Sequence, residues 1–187
     1  MKRWPEWVLL LAGASLLSTG AWSVVRYEAF QSHPQWFIRQ TNLPATQAAN
    51  LAPMSESHRI LGRLEIPRLG FSVIVVEGDD ETSLDLAAGH LPGTAAFGAE
   101  GNAVVAGHRD MTFRPLRNVK RGDTINVRAG TTYKYIVEDV RIVEPEDVRV
   151  LRNENNDRTL TLITCYPFHY LGDAPKRYVV RAKMAGV

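Results

Sequence analysis

A chain of 187 residues, 45% hydrophobic and 22% charged, has room for one ordinary domain plus an appendage and not for two full domains. Its formal net charge of +2 comes from residues 1–59, where five Lys/Arg face three Asp/Glu. Residues 60–187 therefore balance to zero and carry no basic stripe to track a phosphate backbone, which argues against nucleic acid as a partner.

In chain order, residues 1–7 form a short basic start in which Lys2 and Arg3 are opposed only by Glu6. Val8–Val25 then runs for 18 residues without a charge. As a helix this stretch would be about 27 Å long, close to the hydrocarbon thickness of a bilayer. The run is expected to be a transmembrane anchor, with Trp4, Trp7 and Trp22 suited to its two interfaces. A cleaved signal peptide shares the basic start, but its apolar core is shorter and no small-x-small cleavage site follows here. The charge asymmetry predicts a single-pass membrane protein with the N-terminus in the cytoplasm and everything after Arg26 outside.

Residues 26–59 read as a membrane-proximal spacer. Tyr27–Gln40 is expected to continue helically, with Trp36, Phe37 and Ile38 at the interface. Asn42–Ser57, rich in Pro, Ala, Ser and Asn, reads as a tether. From residue 60 to residue 187 short β-rich runs alternate with turn residues, the pattern of an antiparallel barrel or sandwich. The predicted strands are Leu61–Ile66, Phe71–Val76, Ala103–Gly107, Thr124–Ala129, Thr131–Val143, Thr159–Thr164 and Arg177–Lys183. Gly130 is placed to close a hairpin, Arg121-Gly122-Asp123 to turn tightly, and Thr82–Ala88 and Pro145–Leu151 to form short helical turns. The fold class is thus all-β with short helices.

The single cysteine rules out an intramolecular disulfide. A lone thiol outside the membrane is open to oxidation, so Cys165 needs either burial or a chemical role. It ends the apolar strand Thr161-Leu162-Ile163-Thr164-Cys165, and Pro167 then prevents the ladder from continuing. Such a geometry presents a thiol at the rim of a sheet. A second apolar strand, Asn102–Gly107, ends in His108-Arg109-Asp110, and an imidazole beside a thiol can hold the thiolate and later protonate a leaving amine. A third strand opens Lys176-Arg177-Tyr178, and a guanidinium can stabilise the oxyanion of acyl transfer. Taken singly, each has a plainer reading: a buried cysteine, a hydrogen-bonded histidine, a solvated arginine.

Together the three resemble the sortases. TLITC matches their TLxTC signature, AGHRD the segment of their catalytic histidine and KRYVVRA the strand of their arginine, in the expected order. Leu61–Gly70 and Gly89–Thr94 extend the likeness over nearly all of residues 60–187, and CYPF after the nucleophile is most similar to class D. The resemblance implies a closed eight-stranded β-barrel. It also implies a cysteine transpeptidase that cuts an LPxTG-like sorting signal through a thioacyl-enzyme and passes it to an amine acceptor in the cell envelope or on a pilin. Cys165 would be nucleophile, His108 the acid/base, Arg177 the oxyanion stabiliser, and Thr164 a lining of the substrate pocket. Leu162 and Ile163 are assigned to the barrel core or to packing.

His90 and His169 are decoys for the base. No pair among His90, His108, Cys165 and His169 has a zinc-like spacing, so no metal is expected. Glu77–Glu81 offers oxygen ligands, and some sortases respond to calcium, but the run lacks the alternation of a dedicated loop and reads as a solvated turn. Ala95-Ala96-Phe97-Gly98 departs from the family's usual Leu-Pro-Gly turn and changes a loop near the substrate. Leu43-Pro44-Ala45-Thr46-Gln47 is LPxT-like and reads as tether sequence, the sharper alternative being a pseudo-substrate. Hydrolysis in place of transfer, and a non-catalytic peptide-binding β-domain, remain open readings.

Overall fold

The computed structural model describes residues 4–32, 59–152, 157–170 and 172–186. The chain divides into two compact units, Met1–Leu51 and Ala52–Val187. In the first, the described element is one helix, α1 (Trp4–Ser32), along which Val8, Leu11, Leu17 and Trp22 are exposed. Among the described residues no helix is long and apolar enough to cross a membrane. Most of the expected spacer, including Trp36–Ile38 and the LPxT-like segment, lies outside the described residues.

The second unit is a closed barrel of eight strands. In chain order these are β1 (Ile60–Ile66), β2 (Phe71–Glu77), β3 (Ala88–His90), β4 (Gly101–Ala106), β5 (Thr124–Ala129), β6 (Thr131–Val143), β7 (Arg158–Tyr166) and β8 (Lys176–Met184). Around the barrel they run β1-β2-β3-β4-β7-β8-β6-β5, and β5 closes on β1. The pattern-based expectation of antiparallel pairing holds except for β2/β3 and β4/β7, which are parallel. Parallel neighbours need a crossover. Helix α2 (Glu81–Leu86) supplies the first, and everything between residues 107 and 157 supplies the second.

Side-chain alternation decides what faces the core. Leu64 and Ile66 of β1, Ala103 and Val105 of β4, Leu160 and Leu162 of β7 and Val180 and Ala182 of β8 meet inside, none of them more than 1% exposed. The β5/β6 hairpin turns at Gly130, whose φ of 74° is a left-handed conformation that glycine adopts without strain. Gly62 answers a different need, because a Cβ there would lie 2.1 Å from the Arg128 carbonyl oxygen where β1 and β5 approach. Below the turn at Lys120–Asp123, Arg68 donates from Nε and Nη2 to the two oxygens of the buried Asp123 carboxylate. That fork holds the carboxyl below the usual carboxylate range and ties the 3-10 turn Pro67–Leu69 to the barrel.

Strand β3 escapes the sequence pattern. It has three residues, too few for alternation to show, and the sequence reading absorbed its first residue into a helical turn.

Candidate active site

The site grows from the ends of β4, β7 and β8, which are consecutive around the barrel. Cys165 is the penultimate residue of β7 and stands directly across the antiparallel ladder from Arg177, the second residue of β8. Residues so paired are about 5 Å apart at Cα and share one face of the sheet. That face is the outer one, because Leu160 and Leu162, of opposite parity to Cys165, lie in the core. The thiol is free and half-buried.

On the other side of β7, the parallel register with β4 ends at Ala106 opposite Ile163. Gly107 N–H continues it by donating to Ile163 O at 3.2 Å. Two residues beyond Ala106 and Ile163 come His108 and Cys165, so the histidine segment flanks the thiol as Arg177 does across the other edge. Thr164 Oγ1 fixes this alignment by donating to Gly107 O at 2.6 Å. Phe113 N–H donates to His108 O at 2.7 Å and folds the following loop back on itself.

The side chains are not yet engaged with one another. The half-exposed His108 ring carries Nε2 3.8 Å from Asp85 Oδ1 on α2, a carboxylate the sequence did not single out. Arg177 Nη1 donates to Ala174 O and Lys176 O, each at 3.1 Å, on its own connecting loop. Free enzymes commonly hold catalytic groups beyond hydrogen-bond reach until substrate is bound.

Thr164, expected in the substrate pocket, is instead 2% exposed, with its hydroxyl committed to Gly107. It has the inward parity of Leu162, so it braces the site from within. Ile163, assigned to the core or to packing, has the outward parity of Cys165. With Arg177 it lines a pocket of about 110 Å³ whose far wall is Pro145, Val148, Val150 and Leu151. Counting back two residues from the thiol would have found it.

That wall is anchored by Asn102, which sequence reasoning also passed over. Its Nδ2 donates to Val150 O and Leu151 O, both at 3.1 Å, satisfying carbonyls at the end of the 3-10 turn Val148–Leu151. Its Oδ1 accepts from Thr159 Oγ1 at 3.1 Å and Thr161 Oγ1 at 2.8 Å.

The remaining candidates have structural places. His90 is buried, with Nε2 2.9 Å from Ala95 O, Nδ1 3.4 Å from the Glu77 carboxylate and its ring edge-on to Phe97. Gly98 N–H donates to Tyr135 Oη at 2.8 Å, so the divergent 95–98 loop packs on β6. Burial raises the Tyr135 phenol above its usual value. His169 Nε2 faces Arg117 Nη1 at 3.5 Å. Within the acidic run, Asp80 caps α2 by accepting from Ser83 N–H and Oγ. Among the described residues no group of three or more His, Cys, Asp or Glu is arranged to hold a metal ion.

Residues 64–185 match the family model of the sortase domain. The chain is 33% identical over 139 residues to Sortase D of Bacillus subtilis, an alignment covering 73% of this chain and 70% of that protein. Among solved structures it is similar to sortase C-1 from Actinomyces oris, with a TM-score of 0.64 and 29% identity over 78% of this chain and 82% of that one. It shares the fold of the Sortase D5 transpeptidase of Clostridium perfringens, with a TM-score of 0.66 and 23% identity over 87% of this chain and 99% of that one.

Proposed function

This chain belongs to the sortase family of cysteine transpeptidases, and from that premise we propose that it cleaves an LPxTG-like sorting signal and transfers it to an amine on an envelope component or a pilin. The observation that carries the reading is the outward pairing of Cys165 with Arg177, level with His108 and beside the pocket floored by Ile163. The pocket, mostly apolar though Glu144, Asp147 and Arg177 also line it, suits the leucine and proline of such a signal, with the threonine carbonyl then lying over the thiol.

In this scheme the Cys165 thiolate attacks the threonine carbonyl carbon. The oxygen gains the charge, and the Arg177 guanidinium swings from Ala174 O to meet it. Collapse breaks the peptide bond, His108 gives a proton to the departing amine, and a thioester remains on Cys165. An acceptor amine attacks that thioester, His108 takes up the proton the amine loses, and an amide and the Cys165 thiolate result. Water in the acceptor's place gives hydrolysis.

On sequence grounds we also assign α1 to a membrane anchor with the barrel on the outer side. The reading is supported by the charge-free run Val8–Val25, the basic residues before it and the exposed apolar side chains along it. Protease protection of the barrel in sealed vesicles of cytoplasmic-side-in orientation would refute it.

The activity test incubates the protein with a peptide library and several amines and reads products by mass spectrometry. It reports the motif cut, the acceptor and the ratio of transfer to hydrolysis. Cys165→Ala is expected to remove all turnover while keeping the fold; a Cys165→Ala protein that still cleaves would overturn the assignment.

A further inference from the structure

The chain from residue 167 to residue 175 leaves Cys165 and returns to Arg177, and two arginines hold it at different carbonyls. Arg177 holds its far end through Ala174 O. Arg109, the residue after His108, reaches across 61 and 63 positions of sequence to donate Nη2 to Tyr170 O at 2.8 Å and Gly172 O at 3.1 Å. Its guanidinium carbon also lies 5.8 Å from the centre of the Tyr170 ring, within cation–π range.

These bonds are placed where the barrel's own ladder has stopped. Strand pairing between β4 and β7 ends at Ala106 and Ile163, and Gly107 adds the last two links. Beyond that point, among the described residues, the hydrogen bonds joining residues 108–113 to 167–175 are those of Arg109. The grip is not arranged for stability alone. Arg109 Nη1 is buried with no partner among the described residues, as is Thr112 Oγ1 in the same segment. Unpaired buried donors are costly, and departures from full pairing concentrate at functional sites.

We infer that Arg109 is a positioning residue: it fastens the loop 167–175 to the histidine segment and so sets how His108, Cys165 and Arg177 face one another. One nitrogen of the planar guanidinium bridges two carbonyls while the ring contact steadies the plane. A lysine in its place keeps the charge but not the plane or the fork. The inference rests on Cys165 being the nucleophile, yet its test needs no knowledge of the sorting signal.

The test compares the full-length protein with Arg109→Ala and Arg109→Lys by hydrogen exchange and by iodoacetamide alkylation at pH 7. A single cysteine makes the alkylation readout unambiguous. In Arg109→Ala, amides of residues 168–175 are expected to exchange at least tenfold faster while those of β5 and β6 are unchanged. Because the loop sets how His108 faces the thiol, alkylation at pH 7 should fall at least threefold. Arg109→Lys should lie between wild type and Arg109→Ala. Faster loop exchange with wild-type alkylation would make the contact merely structural and overturn the inference. Faster exchange throughout the barrel, or no change in either readout, would overturn it equally. A Cys165→Ala protein that kept its turnover would instead sink the nucleophile assignment, a separate result.

Discussion

Asn102→Ala is the most searching perturbation of the site's scaffold. The side chain makes four hydrogen bonds while only 3% exposed. Two of them hold the carbonyls of Val150 and Leu151, and losing each should cost about 0.5–1.5 kcal/mol. The Thr161 hydroxyl, 0% exposed, is left without its acceptor, adding about 1–3 kcal/mol. Thr159 suffers less, because its hydroxyl also reaches Gly101 O. Together these give about 4 kcal/mol of destabilisation, or roughly a 15 °C fall in Tm for a barrel of this size. Function should change with stability, since the same bonds hold the pocket wall against Ile163. KM for the sorting peptide should rise several-fold while alkylation of Cys165 is unaffected. Urea titration with peptide kinetics on the folded fraction measures both. A loss below about 1 kcal/mol, with unchanged KM, would refute the claim that Asn102 holds the wall.

Three further outcomes follow from the geometry. Arg177→Ala should lower kcat by about 10²–10³ and Arg177→Lys should recover only part of it, because an ammonium lacks the fork that aligns on an oxyanion; peptide kinetics decide. Asp123→Asn should destabilise the barrel by about 2 kcal/mol near neutrality. The Asp123 carboxyl has a depressed folded value, owing first to the Arg68 hydrogen bond, so its contribution is complete above the ordinary value of about 3.9 and is lost as pH falls through the lower folded one. The gap between wild type and variant should therefore be flat above about pH 5 and close below about pH 4, as followed by denaturation against pH. Gly107→Ala would set a Cβ 2.9 Å from the fully buried Phe113 ring. It should cost about 1–3 kcal/mol of overpacking and lower kcat by displacing His108, measurable by denaturation and by turnover on the folded fraction.

Seven of the eight strands were legible because each carries at least six residues of alternating or apolar texture between turn formers. Gly130 and the turn at Asp123 were legible for the same reason: local conformational preference needs no distant partner. β3 was not, since a three-residue strand has no period and exists only because β2 and β4 offer it partners on both edges. Thr164 was assigned to the substrate face, whereas it points inward and its neighbour Ile163 faces out. The alternation that separates them was present in the sequence, but its phase is set by which side the barrel closes on.

By itself, the sequence determined that thiol, imidazole and guanidinium each stand at a strand end, because they follow or open apolar β runs bounded by proline, glycine or charge. Only the tertiary structure decided that β4, β7 and β8 are neighbours, though β4 and β7 are far apart in the chain. Strand order depends on long-range pairing and barrel closure, which no local preference encodes. The same closure sets Cys165 across from Arg177, turns Thr164 inward, and brings Arg109 over a loop more than sixty residues away.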